Sequence, residues 1–298
     1  MTPFLRKKKI VKIAAGQVAV ITGGAGGIGF GLAEALAARG VRLVLADIRE
    51  EALESAADAL WSSGAEVIFV RTDVSDGDAV ERLAVRTLEQ FGRVDLLCNS
   101  ASLLCPDAPL WKQNPQAWDR MLAVKLMGVI HGVRSFAPIM ITQGSGHILN
   151  TASSGGLAPL AHRTPYAAAM HAVVGLTESL AIELGEEGPA LGATVLCPGL
   201  VDPGSGQDVL PPGAFIRLPG AAGRVSMRSM AAASGGLLTA LEVAEAAIVG
   251  IEEGLVHVAP GHDVLSRARQ RIKALMSDLE RSEQVSETGY LQNAKDNS

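Results

Sequence analysis

A serine, a tyrosine and an oddly placed lysine are the residues through which this chain could move a proton. Ser153 lies thirteen residues before Tyr166 (166 − 153 = 13) in Ser153-Ser-Gly-Gly-Leu-Ala-Pro-Leu-Ala-His-Arg-Thr-Pro-Tyr166-Ala-Ala-Ala-Met170. A proline between them can open a helix at Tyr166, and the Ala-rich run after it favours that helix, so positions 166 and 170 share one face. A hydroxyl beside a phenol at the mouth of a helix suits proton transfer to or from a carbonyl. That face carries no cation, because position 170 is methionine. A lone phenol titrates near about 10 or higher, which leaves about one phenolate in a thousand at pH 7. Alcohol oxidation, which needs the phenolate as base, suffers more from this than carbonyl reduction, which needs the phenol as acid. Lys125 stands forty-five positions upstream of Met170 (170 − 125 = 45), on the apolar stripe formed by Met121, Leu122, Val129 and Val133. A buried, unpaired ammonium is expensive, so lysine is not an expected core residue there.

These residues need elements to position them, and the pattern supplies a regular series. Short apolar, β-branched runs at 17–22, 41–46, 66–70, 95–99, 146–151, 193–197 and 255–258 read as strands. Helical patterns lie between them at 30–38, 50–63, 77–91, 117–140, 166–184 and 242–253, and a charged helix begins near Val264. The β-α alternation predicts an α/β fold: one doubly wound, parallel-sheet (Rossmann-type) domain covering 1–298, with its core at about 15–260. Residues 203–236 break the rhythm with prolines and glycines and are expected to form a substrate loop. A helical tail should follow over 264–298, its polar end from Asn293 onward disordered. Trp61, Trp111 and Trp118 read as packing residues.

Glycines 23, 24, 26, 27 and 29 fall where the first strand turns into the first helix. Such a turn lets backbone approach a pyrophosphate and aims a helix N-terminus at its charge. Asp47 ends the second strand eighteen residues past Gly29 (47 − 29 = 18). A carboxylate there accepts hydrogen bonds from ribose hydroxyls and repels a 2′-phosphate, which favours NAD over NADP. Arg49, two residues on, weighs the other way.

Thr22-Gly-Gly-Ala-Gly-Gly-Ile-Gly29 resembles the Thr-Gly-x-x-x-Gly-x-Gly fingerprint of the short-chain dehydrogenase/reductase family. Thr72-Asp73-Val74, Cys98-Asn99-Ser100-Ala101, the Ser153–Tyr166 spacing and Cys197-Pro198-Gly199 resemble that family in the right order. The resemblance implies NAD(H)-dependent interconversion of an alcohol and a ketone, with Ser153 orienting the carbonyl and Tyr166 transferring the proton. It places Gly23, Gly27, Ile28, Gly29, Asp47, Asp73, Val74, Asn99, Tyr166 and Val201 around the cofactor, and it implies a homodimer or homotetramer. Four positions depart from the family pattern. Its Asn-Asn-Ala-Gly reads Asn99-Ser100-Ala101-Ser102, the threonine after Pro-Gly falls at Pro203, the catalytic lysine is Met170, and the catalytic asparagine falls at Lys125.

In the family the lysine favours the tyrosinate and holds the nicotinamide ribose. A unit charge about 4 Å away at an effective dielectric near 20 is worth roughly 4 kcal/mol. Two readings of Lys125 follow. In one it is a relocated cation that serves Tyr166 from across a helix interface, with Gly128 and Gly132 allowing a close neighbour. In the other the site is degenerate and Lys125 snorkels to water, leaving a nucleotide-binding pseudoenzyme or a non-redox cyclase or dehydratase. His162 and Arg163, just before Tyr166, could touch substrate but read as surface-loop residues.

Composition bounds the rest. A formal charge of −5 gives no reason to expect nucleic acid or an anionic membrane as partner. No apolar run reaches about 18 residues without a charge, so no membrane span is expected. The basic start has no long apolar segment behind it and reads as a frayed terminus rather than a signal peptide. Cys98, Cys105 and Cys197 lack metal-ligand spacing and suit reduced thiols in a cytoplasmic protein. No metal site is expected. The substrate is expected to be a small, largely apolar carbonyl or alcohol, partly enclosed by Ser102–Pro106 and the 203–236 loop.

Overall fold

The computed structural model describes residues 11–296, apart from positions 104 and 106 and most of 203–236. In that last stretch only the backbone of two short paired strands is described, and beyond Val285 only the backbone of the last helix. Seven parallel strands form one sheet in the order β3-β2-β1-β4-β5-β6-β9. They are β1 (Val18–Thr22), β2 (Arg42–Asp47), β3 (Val67–Arg71), β4 (Leu96–Asn99), β5 (Gly146–Thr151), β6 (Leu191–Leu196) and β9 (His257–Val258). The expected seven strands are all present, and the fold class is the doubly wound α/β arrangement. The two-residue strands β7 (Phe215–Ile216) and β8 (Val225–Ser226) pair antiparallel. The expected substrate loop otherwise lies outside the described residues.

The strands are buried on both faces because successive side chains enter different cores. Ala19, Ile21, Leu43 and Leu45 point to one side, against Leu32 and Leu36 of α1 (Gly27–Ala37) and Leu53 and Leu60 of α2 (Glu50–Ser62). Ile248 of α7 (Ala240–Glu252) closes that layer. Val18, Val20 and Val44 point to the other side, against Leu83 of α3 (Gly77–Phe91) and Phe136 and Met140 of α5 (Gly128–Gln143). Leu184 of α6 (Thr164–Glu187) completes the second layer. Because β1 lies between β2 and β4, the strand order reverses at its C-terminal end, the place where such sheets bind ligands.

The segment expected as one uninterrupted helix over 117–140 is longer and broken by a wide turn. It comprises α4 (Pro115–Leu122), a π turn at Ala123–Met127, and α5. A π turn adds one residue to the helical circuit and re-aims the side chains around it. Lys125 is the central residue of that turn. This helix and α6 are long and apolar enough by composition to cross a bilayer, but their buried faces pack on the sheet, which accounts for their hydropathy. Two other expectations change. The last helix, α8 (Val264–Asp296), continues through the polar end expected to be disordered. Trp111 is 83% exposed, so it is no packing residue, and Trp61 is half exposed with its indole N–H donated to the Val67 carbonyl at 2.9 Å.

Candidate active site

The glycine turn is tight for stated steric reasons. Gly23 has φ +67, and a Cβ on it would lie 2.8 Å from Ala101 Cα. A Cβ on Gly29 would lie 2.1 Å from the Gly23 carbonyl oxygen, so the helix can start this close only with glycine there. Gly27 and Ile28 open α1 behind this turn. The Ser100 amide donates to Thr22 Oγ1 at 3.1 Å, which ties the turn after β4 to the end of β1. Ser100 stands where the family has its second asparagine, and its hydroxyl is bonded to Thr151 Oγ1 at 2.7 Å. The substitution therefore leaves this turn anchored.

Asp47 is 7% exposed at the end of β2. Its carboxylate accepts from Arg49 Nε at 3.1 Å, from Arg49 Nη2 at 3.2 Å and from the Arg49 amide at 3.1 Å. Asp73 Oδ1 accepts from the Ser75 amide at 2.9 Å and its hydroxyl at 2.7 Å. The Val74 carbonyl accepts from His131 Nδ1 at 2.9 Å, which fixes that tautomer because a carbonyl only accepts. Asn99 turns its side chain into the sheet. Its Nδ2 donates to Asn150 Oδ1 at 2.8 Å, and Asn150 Nδ2 donates to Thr177 Oγ1 on α6 at 3.0 Å. The room left by Gly128 and Gly132 is taken by Val74 and Asn99 rather than by the tyrosine helix, since a Cβ at 132 would lie 2.2 Å from Asn99 Oδ1. Val201 bridges Leu238, and the Asp202 amide donates to the Leu238 carbonyl at 2.8 Å, so residues 201–202 and 238, on either side of the 203–236 insertion, are held together.

Tyr166 sits in the first turn of α6, behind Pro165, as the Pro-Tyr-Ala-Ala-Ala pattern requires. Ser153 caps a short 3-10 turn at Ser154–Gly156, with its Oγ accepting from the Gly155 amide at 3.1 Å. Its hydroxyl lies close enough to the Tyr166 phenol to favour the phenolate, so the pair read from the spacing is brought together. Burial holds that phenol above its ordinary value, while the Ser153 hydroxyl and the nearby charge of Arg163 act to lower it. Met170 is fully buried one turn further on.

Lys125 is 4% exposed. Its Nζ lies over the Tyr166 ring, 5.7 Å from the centroid, and it has no hydrogen bond or ion pair among the described residues. The lysine thus turns inward from the π turn and does not snorkel to water. Burial pulls its pKa down to about 8. The ammonium meets the ring, and the charge that lowers the phenol comes from Arg163. Arg163 is a loop residue by sequence alone and an electrostatic neighbour of Tyr166 in the fold.

Leu103, Cys105, Leu157 and Tyr166 pack around the cluster containing Met121 and Met170, giving the site an apolar wall. Burial pushes the Cys197 thiol up to about 12 and the Cys98 thiol upward as well, so both stay protonated. Among the described residues no group of His, Cys, Asp or Glu could hold a metal. Two features escape the sequence. His162 has a left-handed backbone (φ 65), and its carbonyl accepts from the Ala108 amide at 3.0 Å and Gln113 Nε2 at 3.2 Å. Arg267, at the root of α8, reaches Ser154 Oγ and the Pro159 carbonyl, both at 3.4 Å. Nothing local marks a contact between residues 113 positions apart.

Residues 17–211 match the family model for short chain dehydrogenases. Over 187 residues the chain is 38% identical to levodione reductase of Leifsonia aquatica, covering 62% of this chain and 69% of that protein. It is 35% identical over 188 residues to 3beta-hydroxysteroid dehydrogenase 2 of Eggerthella lenta, covering 63% of this chain and 72% of that protein. The crystal structure of a short chain dehydrogenase/reductase from Burkholderia phymatum in complex with NAD superposes with a TM-score of 0.77 at 37% identity, over 90% of this chain and 96% of that one. The seven-stranded sheet, the glycine turn, the Ser153–Tyr166 pair and these similarities lead to one statement: the chain belongs to the short-chain dehydrogenase/reductase family of oxidoreductases, which bind nicotinamide cofactors.

Proposed function

We propose that the protein interconverts a secondary alcohol and a ketone with NAD(H), using Ser153, Tyr166 and a relocated cation, Lys125. The observation that carries this reading is the buried ammonium over the Tyr166 ring, on a site where position 170 supplies only a thioether. A dinucleotide suits the cradle: Gly23 and Gly29 leave backbone open where a side chain would clash, and α1 begins directly behind them. Gly23, Gly27, Ile28, Gly29, Asp47, Asp73, Val74, Tyr166 and Val201 would hold it, with Asn99 contributing through backbone because its side chain is committed to Asn150. Asp47 shares its oxygens with Arg49 but keeps lone pairs for ribose hydroxyls, which supports NAD over NADP. When bound, the nicotinamide supplies or accepts the hydride.

The chain's own residues handle the proton. Ser153 donates to the substrate oxygen and orients the carbonyl, and Tyr166 delivers a proton to that oxygen during reduction. The upward shift of the phenol keeps it in the acid form near neutral pH, which suits the reductive direction. Lys125 opposes the negative charge that develops on Tyr166 as the proton leaves. A unit charge about 5–6 Å from that developing charge, at an effective dielectric near 20, is worth about 3 kcal/mol, roughly a hundredfold in rate. The apolar wall of Leu103, Leu157 and Met121 favours a largely apolar ketone.

The test combines NAD(H) binding with steady-state reduction of a ketone panel in the wild type, K125M and K125N/M170K. K125M should keep cofactor affinity within a few-fold and lose about a hundredfold in kcat, whereas K125N/M170K, with the cation at the family position, should recover turnover. An unchanged kcat in K125M rules out the relocated cation. A wild type that binds NADH and reduces no ketone rules out the reaction itself.

A further inference from the structure

The helix α8 carries a surface that the fold leaves open. It spans 33 residues, about 50 Å at 1.5 Å per residue, and every residue from Arg269 to Val285 is exposed. Along it Leu265, Ile272, Leu275, Met276 and Leu279 are 59%, 53%, 47%, 49% and 54% exposed. Leu265, Ile272 and Leu279 recur every seven residues, and Ala268 and Leu275 follow the first two by three, a heptad seam with both of its positions small or apolar. A stripe of this kind on a solvent-surrounded helix is the signature of a helix that buries one face against another helix.

The charge order identifies the partner. Residues 264–275 contain Arg267, Arg269, Arg271 and Lys273 and no acid. Residues 276–285 contain Asp278, Glu280 and Glu283 against the single base Arg281, a net charge of −2 (1 − 3 = −2). The helix is basic in one half and acidic in the other, so it is complementary to itself when reversed. We propose that α8 is a dimerisation helix that pairs antiparallel with α8 of a second copy of this chain.

A two-fold axis near residue 274 sets the basic half of each helix on the acidic half of the other, as an isologous contact requires. In that register Ile272 packs against Leu275 of the second copy and Leu279 against its Ala268. Arg271 then flanks the seam opposite Asp278 of the second copy. Parallel pairing would set basic on basic and acidic on acidic. An anionic lipid surface would attract one half and repel the other.

Full-length I272C/L275C protein, oxidised and run without reductant, tests the register directly. The antiparallel pair should form an interchain disulfide that the unsubstituted protein does not form. Adding R271D or D278R to that background places like charges together and should lower the crosslinked fraction several-fold, and R271D/D278R should restore it. Light scattering on the charge variants should show the solution mass fall or rise in step. Absence of the crosslink under oxidation overturns the proposal. So does a crosslink equally strong in R271D and in the double swap, or crosslinking that appears only on phosphatidylserine vesicles, which would assign the face to lipid.

Discussion

At neutral pH Lys125 carries its charge 4% exposed, with the Tyr166 ring beside it and no hydrogen bond or ion pair among the described residues. Burial lowers its pKa from 10.5 to about 8. The difference, about 2.5 units at 1.36 kcal/mol each, means the folded state holds the ammonium at a cost of about 3 kcal/mol. The ring returns about 1 kcal/mol of that through its quadrupole. Lys125→Met, close in volume and apolar, should therefore stabilise the fold by about 2 kcal/mol at pH 7. For a chain of this size that is a rise of about 4 °C in Tm. The pH dependence has a definite sign. A lysine with a depressed folded pKa destabilises fully below about 8, and the penalty fades as pH rises toward the unfolded value of 10.5. The advantage of the variant should thus be largest below pH 8 and shrink toward zero above pH 10.5. Urea unfolding of wild type and K125M at pH 7 and at alkaline pH, beside their kcat values, gives both readouts. A variant less stable than wild type at pH 7 would show that the ammonium has a partner and refute the argument from burial.

Two further outcomes follow from the nucleotide cradle. Gly29→Ala forces a Cβ to within 2.1 Å of the Gly23 carbonyl, so the turn must open. NADH affinity measured by fluorescence should fall at least tenfold, with a loss of about 1–3 kcal/mol in unfolding free energy from overpacking. Asp47→Ala removes the carboxylate from a site 7% exposed, and with it the bonds it accepts from Arg49. The ratio of kcat/KM for NADH over NADPH should fall by about tenfold or more, and an unchanged ratio would show that Asp47 does not face the ribose.

Much of the fold was legible because it depends on local patterns. Residues 18–21 and 43–46 are continuous apolar runs, as strands buried on both faces must be, and their alternation with helical periods allows few topologies. The Ser153–Tyr166 pair was legible because both residues lie in one short stretch, opened by a 3-10 turn and closed by the first turn of α6. Helix ends were less so. Pro115–Gln143 and Thr164–Glu187 each exceed the sequence estimate because capping and packing, not periodicity, set where they stop.

Sequence alone determined the chemistry available: a glycine turn after an apolar strand, a carboxylate at the end of the next, a serine and a tyrosine in register, and a lysine where an apolar stripe should continue. Each of these is a matter of residue type and short-range spacing. Tertiary structure decided what those groups do. A single wide turn at Ala123–Met127 is invisible to a 3.6-residue period, yet it presents Lys125 at the Tyr166 ring. Asp47 is shared with Arg49, Asn99 faces the sheet interior, and Arg267 reaches Ser154 from the root of the last helix. These depend on how segments far apart in the chain are packed, because burial and through-space charge exist only once the layers have closed.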